Sequence, residues 1–271
     1  MKKTVLITGT SSGIGKSAAI IFAQAGWNVV ATMRSPEKEL DLIRVANVRL
    51  VKLDVTDSTS IKMAFETAIA AFGRVDVVVN NAGYGVDGVF EAMSDEVIEK
   101  QFNTNVFGLM RVTREAIGAM RKQGGGTIVQ IASVGGRITF PLYSIYHGTK
   151  WAVEGFSESL AYELRQFNIK MKIVEPGAIK TEFYGSSRHF VKPENDAAYD
   201  NILKKADDLL TGAGDKGAAP EIVAGVILKA ATSNNWRLRY ATSFPANLLL
   251  PLRRLLPESW FFAIIRSTYK I

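Results

Sequence analysis

Ser133, Tyr146 and Lys150 have the types and spacing for proton chemistry. Tyr146 and Lys150 are four apart, so on a helix both side chains share one face. An ammonium beside a phenol favours the phenolate and is expected to lower the phenol pKa toward the working range. Tyr146 would then give a proton to a carbonyl oxygen as hydride arrives, or take one from an alcohol in reverse. Ser133, at the end of a strand, would orient and stabilise the reacting oxygen. Lys150 would in addition bind a nicotinamide ribose. A Tyr/Lys pair on a helix also arises as ordinary structure, so the weight falls on what surrounds it.

Upstream, Gly9, Thr10, Ser11, Ser12, Gly13, Ile14 and Gly15 lie between a short apolar strand and a helix. Glycines there let the backbone turn tightly and approach a pyrophosphate, and the helix N-terminus attracts its charge. The next strand ends Ala31-Thr32-Met33-Arg34. An NAD site places a carboxylate about 20 residues beyond the glycines, on the adenosine ribose. Met33 takes that place, and the Arg34 guanidinium would hold a 2′-phosphate instead. NADP(H) is therefore favoured, with NAD(H) as the alternative. Asp54 would accept from the adenine amino group, or simply stabilise a turn. Asn80-Asn81-Ala82-Gly83 closes the fourth strand with small residues and amides that suit a nucleotide wall as well as a turn.

The elements that must position these groups alternate strand and helix. Strands are predicted at 4–8, 27–33, 48–53, 75–80, 127–133 and 169–175, with helices over 14–24, 58–72, 94–121 and about 144–166. The nearly all-valine fourth strand fits a sheet covered on both faces. This is a single-domain α/β plan, a Rossmann-type doubly wound parallel sheet in three αβα layers, with ligands beyond the carboxyl ends of the strands. The catalytic unit is expected over 1–235, with a polar, movable flap at about 183–217. A hydrophobic extension follows over 236–271.

Composition narrows the alternatives. The 271 residues include no cysteine and only two histidines, His147 and His189, which excludes thiolate sites and makes a histidine metal centre improbable. The net charge of +7 reads as a basic surface or as accommodation of phosphates. No dense Lys/Arg patch with interleaved aromatics supports nucleic-acid binding. The first strand begins close to Met1, leaving no room for a secretory peptide, so a cytoplasmic location is expected.

Together these motifs resemble the classical short-chain dehydrogenase/reductase family over about residues 4–182. The glycine motif, Asp54, Asn80 to Gly83, Asn105, Ser133, Tyr146 with Lys150, and Pro176-Gly177 with Thr181 stand in the family's order. Ser133 and Tyr146 keep its thirteen-residue separation. The resemblance implies that Asn105 kinks its helix and holds a water in a proton relay through Lys150. It implies that Asn81, with Ala82 and Gly83, supports the cofactor pocket, that Val55 and Ile179 flank it, and that Pro176 and Gly177 shape the loop after the sixth strand. Thr181 is the hydroxyl implied to touch the nicotinamide carboxamide or diphosphate, and the hydride implied is the pro-S one. Ser12 departs from many NADP-preferring members, which carry a second basic residue there; Lys16 is close but is not assigned that role. Tyr143 is a decoy, because His147 and not lysine stands four positions on. The family also implies a homodimer or homotetramer.

Tyr84, Val86, Val134, Phe140, Tyr143, His147, Phe183 and Tyr184 are expected to face the substrate, an apolar set without a lysine or arginine fixed for a carboxylate. A small hydrophobic ketone, aldehyde, retinoid or sterol-like alcohol suits it, with an NAD(H)-dependent alcohol, hydroxysteroid or retinol dehydrogenase as the alternative, although several of these residues also suit flap packing. The tail from Phe244 to Ile265 suits the cleft, a subunit interface or an anionic membrane; the first two are favoured over peripheral membrane contact. A catalytically silent nucleotide-binding regulator and a net-neutral reaction such as epimerisation stand as alternatives.

Overall fold

The computed structural model describes residues 2–181, 188–193 and 197–269. Its centre is a seven-stranded sheet in the order β3-β2-β1-β4-β6-β7-β9. The strands are β1 (Thr4–Thr8), β2 (Asn28–Met33), β3 (Val48–Lys52), β4 (Val77–Asn80), β6 (Gly126–Ile131), β7 (Ile169–Pro176) and β9 (Arg239–Thr242). Every pairing among them is parallel. Parallel strands need crossover helices, and those helices cover both faces, so β1 and β4 are wholly buried runs of apolar and small polar residues.

Helices α1 (Gly13–Gln24) and α7 (Pro220–Thr232) pack on one face. There Phe22, Ile227 and Val223 meet the odd-numbered strand residues Val5, Ile7, Val77 and Val79. On the other face α2 (Ser58–Phe72), α4 (Leu109–Lys122) and α5 (Ser144–Leu164) bring Phe65, Val112 and Leu164 against Leu6, Val30, Val78 and Ile128. The alternation follows from the two-residue period of a strand. Helix α2 starts where expected because the Asp57 carboxylate caps it, accepting from the Thr59 N–H at 2.8 Å.

Three features differ from the sequence expectation. The single helix over 94–121 is two, α3 (Asp95–Phe102) and α4, joined by a π-helical turn at Asn103–Gly108. The apolar pattern runs on through that turn, which is why spacing does not reveal it. The sheet continues past residue 235, since β9 pairs with the carboxyl half of β7, so the 1–235 unit stops short of the sheet's last strand. A second, two-stranded parallel sheet joins β5 (Gly85–Gly88) to β8 (Arg188–Val191), the latter inside the segment read as a flap. The rest of that segment includes α6 (Asp200–Asp215). The tail forms α8 (Ala246–Leu255), with Pro251 inside it, and α9 (Glu258–Tyr269), separated at Pro257. No helix is long and apolar enough to cross a membrane among the described residues.

The small sheet is held by charge. Arg188 grips the buried Asp87 carboxylate through Nε at 3.1 Å and Nη2 at 2.7 Å, and reaches Asp207 of α6 at 2.8 Å. Burial raises the Asp87 pKa against the lowering influence of Arg188. Removing one partner of such a pair strands the other, so Asp87→Ala is expected to cost about 3 kcal/mol in urea unfolding. Asp207→Ala, on the exposed side, is expected to cost under about 1 kcal/mol.

Candidate active site

The strand order reverses between β1 and β4, and the crevice beyond their carboxyl ends is where such sheets bind ligands. A cleft of about 1060 Å³ opens there. Its floor begins with the glycine loop. Gly9 takes a left-handed φ of +69°, and a Cβ on it would come within 2.9 Å of the Ala82 Cα. The Asn81 side-chain amide donates to the carbonyls of Thr8 and Gly9 at 3.0 and 2.9 Å. In return the Thr8 hydroxyl oxygen accepts from the N–H groups of Asn81 and Ala82, both at 3.0 Å. Helix α1 has no side-chain cap, so its first N–H groups are left to a ligand.

Gly9, Ser11, Ser12, Gly13, Ile14, Arg34, Asp54, Val55, Asn81, Ala82, Gly83, Pro176, Gly177, Ile179 and Thr181 all line this cleft. Thr10 and Gly15 do not. Thr10 is fully buried, its hydroxyl donating to the Thr32 carbonyl at 3.2 Å, and Gly15 packs against the Gly9 carbonyl. Both shape the loop from behind. Met33 and Arg34 line the cleft at the end of β2. Burial pushes the Asp54 carboxyl up, but hydrogen bonds from the Thr56 N–H and hydroxyl, with the charges of Arg34 and Lys52, hold it below the usual range. Lys16 is engaged elsewhere, 2.6 Å from Asp41 and 3.0 Å from Glu39.

Further along the same wall stand Ser133, Tyr146 and Lys150. The Ser133 oxygen accepts from the Gly135 N–H at 3.0 Å, which leaves its hydrogen for a ligand oxygen. Lys150 donates to the Ile131 carbonyl at 2.9 Å, and its Nζ lies 5.8 Å from the Tyr146 ring centre. Burial lowers the Lys150 pKa to about 8, against the raising charge of Glu154. Asn105 sits in the π-helical turn, buried behind the cleft. Its amide donates to the Tyr84 carbonyl at 2.8 Å and to Thr149 Oγ1 at 3.2 Å, and its oxygen accepts from the Tyr84 N–H at 3.1 Å.

Tyr84, Val134, Phe140, Tyr143 and His147 line the cleft, while Val86 is buried with Met93 and Ile145 under the small sheet. Phe183 and Tyr184 lie outside the described residues. Burial depresses the His147 pKa to about 4, so the imidazole is neutral, and its Nδ1 accepts from the Phe140 N–H at 3.3 Å. Sequence reasoning missed Lys100, which adds a basic side chain to the lining, and of the roof it gave the segment as one of two favoured placements but not the individual residues. That roof comes from the tail: Phe244, Pro245, Leu249, Ile264, Ile265, Thr268 and Tyr269 line the same cleft. The tail's apolar content was visible, but nothing in it gave a register against the cleft. Gly177 lets it leave the sheet closely, since a Cβ there would fall 2.5 Å from the Phe244 carbonyl oxygen.

A dinucleotide fits this arrangement: a glycine turn that a Cβ would obstruct, an uncapped helix N-terminus and a polar wall at the switch point. That defines a dinucleotide-binding protein of the doubly wound class. The family model for short chain dehydrogenases matches residues 3–192. The chain is 37% identical over 276 residues to the uncharacterized oxidoreductase YusZ of Bacillus subtilis, with 98% of each chain covered. It is 40% identical over 179 residues to a 3-ketodihydrosphingosine reductase of Bacteroides thetaiotaomicron, covering 66% of this chain and 65% of that one. Among solved structures, ElxO with NADP bound superposes with a TM-score of 0.74 at 31% identity, over 89% of this chain and 97% of that one. A short-chain dehydrogenase/reductase from Burkholderia phymatum in complex with NAD gives 0.80 at 27% identity, over 94% and 92%. The chain belongs to the short-chain dehydrogenase/reductase family.

Gly9→Ala is expected to weaken binding of a reduced nicotinamide dinucleotide at least about tenfold, as read by quenching of protein fluorescence, because both the φ and the Ala82 contact oppose a Cβ. The circular dichroism spectrum is expected to stay unchanged.

Proposed function

We propose that the protein is an NADP(H)-dependent oxidoreductase that reduces a carbonyl of a hydrophobic substrate, or oxidises the corresponding alcohol, with Tyr146 as general acid and base. The observation that carries this reading is convergence: Ser133, Tyr146 and Lys150 line the same cleft as the glycine loop and Arg34. The nicotinamide, when bound, supplies or accepts the hydride. Ser133 donates its hydroxyl hydrogen to the reacting oxygen and fixes its place. Tyr146 gives that oxygen a proton in reduction and takes one in oxidation. Lys150 holds a positive charge one helical turn away and binds the ribose. Asn105 braces Tyr84 and the Thr149 turn of α5, so its part is to fix the helix that carries Tyr146.

The preference for NADP(H) rests on the end of β2, where Met33 replaces the expected carboxylate and Arg34 faces the cleft. ElxO holds NADP in its structure and the Burkholderia enzyme holds NAD, so relatives with either cofactor share this fold. The substrate class rests on Tyr84, Val134, Phe140, Tyr143, Leu249 and Ile265 around the reacting groups. The Bacteroides relative's name, which specifies a long-chain lipid ketone, points the same way.

Two variants test the reading with an absorbance assay across aliphatic, aromatic and lipid ketones. Tyr146→Phe is expected to lower turnover roughly 10²–10⁴-fold with NADPH affinity retained; undiminished turnover would remove Tyr146 from its role. Arg34→Ala is expected to weaken NADPH about 10–100-fold, the worth of a charge-assisted contact, with NADH little changed. Equal loss for both cofactors would contradict the 2′-phosphate contact.

A further inference from the structure

Helix α5 repeats a charged or titratable residue every turn: Tyr146, Lys150, Glu154 and Glu158. The first two face the cleft. Glu154, one turn behind Lys150, is buried with 4% of its surface exposed. Its Oε2 accepts from Arg239 Nε at 2.9 Å, while its Oε1 is buried with no hydrogen-bond partner. Around it, Arg239 also reaches Glu158 at 2.8 Å and lies 3.8 Å from the buried Glu175 at the end of β7. Arg137, on the loop that carries Ser133, donates to Glu175 at 3.1 Å. That loop presses on the pair itself, since a Cβ on Gly136 would lie 3.0 Å from both the Glu154 Cγ and the Lys150 carbonyl oxygen.

Glu154 and Glu175 are buried carboxylates that share the Arg239 and Arg137 guanidinium groups. The next cation along the helix is Lys150, one turn from Glu154 on the same face. We propose that Glu154 is a positioning residue for the reaction: its carboxylate, clamped by Arg239, keeps the desolvated Lys150 an ammonium. The inference rests on the reading that Tyr146 and Lys150 do the proton chemistry. The groups facing this carboxylate are Lys150 and Glu158 on α5, Glu175 on β7, Arg239 on β9, and Arg137 behind Ser133. Burial and the charge of Glu175 push the Glu154 carboxyl up to about 7, with Arg239 and Arg137 opposing them.

Glu154→Gln separates charge from structure, because the amide oxygen still accepts from Arg239. NADPH affinity measured by fluorescence from about pH 6 to about pH 10 reads the Lys150 charge without any substrate, and Lys150→Met marks which alkaline inflection belongs to it. In Glu154→Gln that inflection is expected to move down by roughly one pH unit. Glu158→Gln, which alters the same Arg239 fork on its exposed side, is expected to leave it in place. An inflection that Glu154→Gln does not move overturns the proposal alone. A wild-type profile with no Lys150-dependent inflection removes the Lys150 assignment and the proposal with it. If Glu154→Gln does not fold, Glu154→Asp serves: a carboxylate withdrawn by one methylene is expected to give a smaller downward shift, and no shift overturns the proposal.

Discussion

The structure depends on how the backbone is satisfied where the parallel sheet parts. At the switch point β1 and β4 send their chains to opposite faces, and the polar groups at their ends lose regular partners. Asn81 and Thr8 take up that deficit reciprocally, side chain of each to backbone of the other. Leaving such buried groups unpaired costs about 1–3 kcal/mol each, so the loop has one favoured arrangement. That arrangement points the start of α1 at the cleft. Asn105 performs the same service on the opposite wall, bracing Tyr84 and the first turns of α5. Two asparagines thus act as brackets between elements far apart in sequence, and the cleft is the gap they hold open.

Around that gap, polarity is graded. The nucleotide end offers backbone N–H groups and Arg34, the middle offers Ser133, Tyr146 and Lys150, and the far end is closed by aromatic and aliphatic side chains. Burial is what gives each titratable group its state. The neutral His147 and the tempered Lys150 are both products of desolvation, which penalises the charged form. A protein-lined wall of this kind sets protonation before any ligand arrives.

Much of this was legible in the residues, for reasons that differ by element. The valines of β4 and the apolar run of β1 could be read because a doubly covered strand has no polar face to confuse the signal. Ser133, Tyr146, Lys150 and the glycine loop stand out in the sequence by residue type and spacing, and the fold brings them to one cleft. The seventh strand was not: Arg-Tyr-Ala-Thr is four residues long and begins with a charge that turns out to serve the Glu154 cluster. β5 has glycine at both ends, and β8 pairs with it only through tertiary contact and the Asp87–Arg188 pair. Thr10 and Gly15 share the loop's spacing yet stand behind the cleft lining, because spacing does not say which side of a loop a residue faces. Lys100 lacks any local pattern that ties it to the cleft, and the tail's apolar content points to the cleft or an interface without saying which of its residues reach the lining.

The roof has a consequence for how such an enzyme diverges. Ser133, Tyr146 and Lys150 stand in the first two-thirds of the chain, while the roof of the cleft comes from the entry and first turn of α8 and the last turns of α9. Their tie to the sheet's carboxyl end is local, at Phe244, whose carbonyl accepts from the Ala178 N–H at 3.2 Å. Insertions or exchanges after β9 therefore reshape what is admitted while leaving the reactive groups undisturbed. Part of the cleft's shape becomes a trait heritable apart from the residues at its centre.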